Sequence, residues 1–229
     1  MAIKYIEIPG IGRVKLTKRR STRSLRVRTT SGGGIVVSIP TWIPFKAGEK
    51  FALQHIEWIK KHQTEISLLL PNRKIGRNHA LLFKVGAGAK PTVKVVDSTV
   101  VVSVPVGMTV KSPQVQVAAV RGAKNALKSQ EDILEKRLES ISKITKLKYK
   151  SSRYGFMKTR WGSCKSDMTI TLNYHLLDLP DEHINYVIIH ELVHTKHLNH
   201  RPEFWSLVES FEPNYKQLRK EVKKATLGW

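Results

Sequence analysis

The sequence predicts an α+β fold in which a β-rich, basic region of residues 1–110 precedes a largely helical region of residues 111–229. Three observations carry that expectation. Val- and Ile-rich runs with period-two alternation, separated by turn residues, crowd the first half. Apolar residues recur at helical spacing through most of the second half. Inside one of those helical runs stands His190-Glu191-Leu192-Val193-His194, with His200 ten positions after His190.

Ile3 to Ile8 reads as a short strand closed by Pro9-Gly10. No acid occurs between Glu7 and Glu49, while Lys15, Lys18, Arg19, Arg20, Arg23, Arg26 and Arg28 make this stretch densely cationic. From Ser24 the pattern alternates, Leu25 and Val27 on one face and Arg26 and Arg28 on the other, a strand with one wet cationic side. Ser31 to Gly34 supplies a hairpin turn into the strand Ile35–Ile39, which Pro40 ends. A helix is expected over Gly48–Gln63, with Phe51, Ile56 and Ile59 on one side and Trp58 flanking them.

A second round follows, with strands at Leu81–Val85, Val93–Val96 and Val100–Val104. Val100-Val101-Val102-Ser103-Val104-Pro105 repeats Ile35-Val36-Val37-Ser38-Ile39-Pro40 at an offset of 65, and Lys111 matches Lys46. The chain is therefore expected to use a β-β-α unit twice, the two sharing one sheet with helices on one side. The helix of the second unit, residues 113–144, carries Ile133, Leu134, Leu138, Ile141 and Ile144 and would support the histidine-bearing helix from behind.

Leu147–Tyr154 and Thr169–Asn173 read as strands on either side of Lys158-Thr159-Arg160-Trp161-Gly162-Ser163-Cys164. Leu179-Pro180-Asp181-Glu182 starts a helix expected over 180–197, since proline is tolerated in the first turn and acids suit the positive end of the helix dipole. Pro202 opens another helix with Phe204, Trp205, Leu207 and Val208. After Pro213, Lys216–Leu227 forms the last, with Gly228 as its cap.

A formal net charge of +22 implies anionic partners such as nucleic acid, nucleotides or acidic peptides. Lys18, Arg19, Arg20, Arg23, Arg26 and Arg28 are the candidates for that contact. Cys164 is the only cysteine, which excludes a disulfide framework and suits the reducing cytosol. No signal peptide and no membrane-spanning apolar run is seen, so a cytoplasmic location without membrane partners is expected. Oligomeric state leaves no mark in the sequence.

Two histidines four apart on a helix point the same way and can grip one Zn²⁺, with Glu191 beside them as base for a metal-activated water. A lone cysteine rules out a structural cysteine cluster, so three imidazoles with an open position is the economical site. The expected chemistry is zinc-dependent hydrolysis, foremost of peptide bonds in a peptide or unfolded protein. His200, returned by a chain reversal after Leu198, is favoured as third ligand over His197, Glu203, Glu209 and Glu212. Tyr154, Arg160, His175 and Tyr186 are oxyanion donors by residue type alone. Asn173 joins them on the substrate side, ending a strand whose edge could align an extended peptide.

Tyr154, Thr159 to Cys164, Ile170 to Asn173, Leu179-Pro180, Tyr186 to His194, Asn199-His200, Phe204-Trp205, Pro213, Tyr215 and Arg219 occur in an order that resembles the YgjP-like metal-dependent hydrolases. These belong with the minimal zincin peptidases and are distantly similar to SprT-like and WLM domains. The resemblance is fullest from Lys148 to Leu227; Arg19-Arg20 and Trp58-Ile59 extend it to the basic first unit, and Ile75 to Gly107 departs from it. It implies a zincin-like metallopeptidase domain with an HExxH helix, His190, His194 and His200 as metal ligands, and Glu191 as catalytic glutamate. It also implies a structural or substrate-side role for Arg160 to Ser163, with Trp161 near the metal helix and Gly162 allowing a close turn. Some relatives carry a nucleotide pyrophosphatase label with UTP as substrate, and the SprT-like likeness raises a DNA-linked protease. Phosphoanhydride cleavage favours Mg²⁺ and carboxylates, whereas this donor set is imidazole-rich and suits zinc. A non-enzymatic nucleic-acid-binding module would want more aromatics interleaved among its cations.

Overall fold

A computed structural model describes residues 2–9, 11–29, 35–62 and 68–229. The chain forms two compact units, residues 1–68 with Trp229 and residues 69–228.

In the first unit β1 (Ile3–Ile8) and β2 (Gly12–Arg19) form a hairpin, followed by β3 (Arg26–Thr29), β4 (Ile35–Pro40), α1 (Phe45–Gln54) and α2 (Ile56–His62). The sheet order is β1-β2-β4-β3, with β2 and β4 parallel. Every residue of β4 is buried, as a central strand whose apolar run is interrupted only by Ser38 requires. β2 was not expected. Its cations conceal a period-two pattern in which Val14 and Leu16 face the core with Ile35, Val37 and Ile39. The expected helix Gly48–Gln63 is two helices that meet at His55, whose Nδ1 lies 2.9 Å from the Phe51 carbonyl oxygen. Ile59 is buried and Trp58 exposed. The turns expected at Gly10 and Ser31–Gly34, and Gln63, lie outside the described residues.

The second unit opens with β5 (Lys74–Ile75), β6 (His79–Gly86), β7 (Thr92–Val96) and β8 (Thr99–Pro105), in the order β5-β6-β8-β7. The repeat seen in sequence extends to strand pairing. Ile35 pairs in parallel with Val14 and Val100 with Leu81, while Ser38 stands opposite Arg26 and Ser103 opposite Thr92 in the antiparallel direction. The two units do not share a sheet as expected. β4 and β8 each lie at the centre of their own sheet, with both edges already paired.

The single helix expected over 113–144 is α3 (Pro113–Lys128) and α4 (Glu131–Thr145). The chain breaks at Gln130, whose buried side chain is spent on the β5–β6 turn. Its Oε1 accepts from the backbone N–H groups of Arg77 (2.7 Å) and Asn78 (2.9 Å), and its Nε2 donates to the carbonyls of Ile75 (3.2 Å) and Ala126 (2.8 Å). Next come β9 (Ser151–Gly155), β10 (Gly162–Cys164) and β11 (Thr169–Asn173), in a three-stranded sheet of order β10-β11-β9. A one-turn 3-10 helix at Tyr174–Asp178 leads to α5 (Asp181–Val193), α6 (Pro202–Phe211) and α7 (Tyr215–Lys224).

α5 packs against α4, α6, α7 and β10. Ile184, Tyr186, Val187, Ile188, Ile189, Leu192 and Val193 are all buried, so the helix is the core of this region rather than an amphipathic surface helix. Each such side chain contributes roughly 1.5–3 kcal/mol by leaving water. The architecture is α+β, with a β-rich N-terminal region and a helical C-terminal region. Among the described residues no helix is long and apolar enough to cross a membrane.

Candidate metal centre

His190 and Glu191 lie in the last turn of α5, and His194 caps its C-terminus. The chain then turns through residues 195–201 before Pro202 starts α6. That reversal brings His200 back to the helix: His190 Nε2 and His200 Nε2 are 3.1 Å apart. One ligand atom from each of His190, His194 and His200 lies within 4.8 Å of the other two. Three nitrogens around a tetrahedral zinc sit about 3.3 Å from one another, given Zn–N bonds near 2.0–2.1 Å. The histidine cluster therefore fits zinc in donor type and spacing.

Protonation suits the same role. Burial, with the charges of His194, His200 and Arg219, pushes His190 down to about 3. Burial likewise lowers His194 and His200. All three imidazoles are neutral at neutral pH and carry a free lone pair. His194 Nδ1 lies 2.9 Å from the His197 carbonyl oxygen, a hydrogen bond that leaves Nε2 to face the cluster. His197 thus contributes its backbone. Among the described residues neither it nor Glu203, Glu209 or Glu212 joins the ligand group.

The cluster rests on Phe204, which is fully buried and has its ring centroid 4.5–4.9 Å from all three imidazoles. Trp205 stacks on His200 and donates from Nε1 to the His200 carbonyl at 3.1 Å. Tyr215 stacks on the other end of this column, and the Arg219 guanidinium sits 4.4 Å from the Trp205 ring centre. Sequence reading placed Phe204 and Trp205 on the right helix without a role. Their positions four and five residues past His200, at the start of a proline-initiated helix, were the available signal.

Glu191 is buried and points toward β10. A Cβ at Gly162 would stand 2.7 Å from its Cγ, so only glycine permits this approach. The Cys164 backbone N–H donates to the Glu191 carboxylate. Burial pushes that carboxyl up to about 8, against the opposing pull of Arg160 and the Cys164 N–H. The Cys164 thiol is itself raised to about 11 by burial, so it is unreactive at neutral pH. Trp161 donates from Nε1 to the Val222 carbonyl at 3.2 Å, tying the strand to α7. A cleft of about 530 Å³ opens beside His190 and Glu191, lined by Arg160, Trp161, Tyr186, Val187, Arg219 and Val222 among others.

Two of the residues proposed for the substrate side, Arg160 and Tyr186, line this cleft. Burial raises the Tyr186 phenol to about 12 and keeps it protonated. The others do not. Tyr154 points its hydroxyl into the interior near Ser152 and Glu135, where burial raises it to about 12. His175 is buried with its Nδ1 3.3 Å from Asp178. Asn173 is wholly buried and donates to the carbonyls of Met157 (2.9 Å) and Arg160 (3.0 Å), so it positions the loop that bears Arg160. The strand expected to offer its edge, β11, is paired on both sides, which leaves β10 as the outer strand next to Glu191. The basic candidates belong to the first unit. Lys18, Arg19 and Arg20 line a hollow of about 550 Å³ with Ser21 and Thr41, Arg23 is exposed beyond β2, and Arg26 and Arg28 are exposed on the edge strand β3.

A neutral tri-histidine cluster at the end of a buried helix, with a buried glutamate beside it in an open cleft, defines a zinc-dependent, metallopeptidase-like hydrolase. The chain belongs to the YgjP-like family, whose metallopeptidase domain it matches over residues 23–225. Among solved structures it is similar to the metallopeptidase zymogen abylysin of Pyrococcus abyssi, with 28% identity over 42% of this chain and 99% of that one, at a TM-score of 0.37. It is also similar to the zymogen jannalysin of Methanocaldococcus jannaschii, with 18% identity over 40% of this chain and 94% of that one, at a TM-score of 0.36. A comparison with curated proteins gives no match.

Proposed function

We propose that residues 111–229 form a zincin-like catalytic domain in which His190, His194 and His200 hold zinc and Glu191 is the catalytic base of peptide-bond hydrolysis. The observation that carries this is that His190, from the histidine cluster, and the buried Glu191 line one cleft. Zinc bound there supplies Lewis acidity, polarising a scissile carbonyl and acidifying water. Glu191 takes the proton of the attacking water and passes it to the leaving amine. Burial raises the proton affinity of its carboxylate, which favours uptake of the water's proton. Tyr186, protonated and lining the cleft, and Arg160 are the donors toward the developing oxyanion. The outer edge of β10 would align an extended peptide across the site.

The hollow formed by Lys18, Arg19 and Arg20 supports a second contact with an anionic partner, nucleic acid or nucleotide, made by the first unit. A cytoplasmic location goes with this proposal, supported by the single cysteine.

The test is metal analysis of purified protein, then parallel assays on an unfolded protein and on nucleoside triphosphates, for wild type and Glu191→Gln. We expect stoichiometric zinc in both proteins, and peptide cleavage that falls by roughly 10²–10⁴-fold in the variant. Magnesium-supported cleavage of triphosphates alone, dependent on Glu191, would overturn the proposal.

A further inference from the structure

The wall of the cleft beside the histidine cluster is one-signed. Lys158, Arg160, Arg219 and Lys223 all line it, and its only acid is Glu191. None of the four cations forms a salt bridge among the described residues. Apart from the pull between Arg160 and Glu191, their charge meets no paired acid among the described residues, unlike that of Arg77 and Arg137, which both pair with Asp181. They come from two separate segments, the loop before β10 and helix α7, so their convergence is made by the fold. Arg219 is held against the Trp205 ring, and Asn173 anchors the Arg160 carbonyl. Between the cations the lining is apolar, including Trp161, Val187, Val222 and Leu227.

A cavity of this kind, cationic with apolar walls, favours a ligand with a short hydrocarbon stem ending in an anion. The field also disfavours a basic residue, since a like charge there has no counter-ion but Glu191.

We propose that this cleft selects peptides that place a carboxylate beside the scissile bond, held by Lys158, Arg160, Arg219 and Lys223. The carboxylate is that of a glutamate or aspartate side chain, or the C-terminus of the substrate itself. The inference rests on the peptidase function proposed above.

The test measures binding and cleavage separately on the zinc-loaded full chain. Fluorescence anisotropy with Glu191→Gln compares labelled Ala/Leu peptides of equal length. One is capped and bears glutamates, one is capped and bears lysines, and one is neutral with a free C-terminus. The glutamate peptide should bind roughly tenfold more tightly than the lysine peptide at low salt, with the gap closing as salt rises. Tight binding of the free-C-terminus peptide instead identifies the terminal carboxylate as the group held. Lys158→Ala/Lys223→Ala, which alters two exposed side chains, should narrow the gap several-fold, and Lys158→Glu/Lys223→Glu should reverse it. Equal binding of all three peptides, a gap that survives both double variants, or binding of UTP without binding of either carboxylate peptide overturns the inference. Selective binding without any cleavage by wild type upholds the selection and removes the peptidase function instead.

Discussion

Gly162→Ala tests the placement of the base directly. The added Cβ would meet Glu191 at 2.7 Å from Cγ, 2.8 Å from Oε1 and 3.0 Å from Cδ. Carbon contacts are optimal at about 3.5–4.0 Å, so the overlap is close to 1 Å. Glu191 cannot retreat, because it is buried on a helix packed on several sides. Either β10 shifts outward or the carboxylate swings into the cleft. A misplacement of about 1 Å costs on the order of 10²-fold in rate. Overpacking of this kind destabilises by roughly 1–3 kcal/mol. The histidine cluster is not in the path of the new atom, so zinc content should not change. The assay is kcat/KM on one peptide substrate, with zinc stoichiometry and a thermal melt on the same preparation. A variant that keeps wild-type kcat/KM refutes the close packing of Gly162 on a catalytic Glu191. Lost zinc would refute the separation of the base from the ligands.

Phe204→Ala removes the floor shared by the three imidazoles; we expect a loss of about 3–5 kcal/mol in stability and a roughly 10–100-fold weaker zinc affinity, read by denaturation and competitive chelation. Gln130→Ala orphans two backbone N–H groups at the β5–β6 turn and should cost about 2–4 kcal/mol in urea unfolding with zinc content unchanged. A near-zero effect would mean that water replaces the side chain. The fourth prediction concerns alkaline pH. Tyr186 is raised from 10 to about 12 by burial, so the folded state holds its proton more tightly than the unfolded chain. Its contribution is complete below pH 10 and is lost as pH rises from 10 to about 12, on the order of 3 kcal/mol in all. Chemical denaturation should show stability falling across that window, with a shallower fall in Tyr186→Phe; identical profiles would contradict the burial of this phenol.

β4 and β8 were legible because each carries four Val or Ile residues in a run of six or seven bounded by turn residues, a pattern that favours a strand. β2 was not, because alternate residues of a half-exposed strand are free to be cationic, and the run from Arg13 to Arg20 looked like a charged loop. The break at Gln130 was equally hidden. Helical spacing continues across it, and the turn that claims the Gln130 side chain lies some fifty residues earlier in the chain. Among candidate site residues, those whose role is local were easiest to judge. His190 and His194 share a helix face by spacing alone. Arg160, Tyr154, His175 and Tyr186 looked equivalent by type and Asn173 stood at a strand end, and only packing separates the two that reach the cleft from the three that do not.

By itself the sequence determined the α+β composition, the repeated strand unit, the histidine pair on one helix with its glutamate, and the excess of positive charge. These follow from residue type and short-range periodicity, which act over a few residues of chain. Tertiary structure alone decided that the two repeats keep separate sheets, that His200 returns to within 3.1 Å of His190, and that Glu191 occupies the space where Gly162 lacks a side chain. It also gathered four cations, none in a salt bridge among the described residues, from two segments around one cleft. Such contacts join residues distant in sequence, and their geometry is set by how buried surfaces close-pack, which no local pattern encodes.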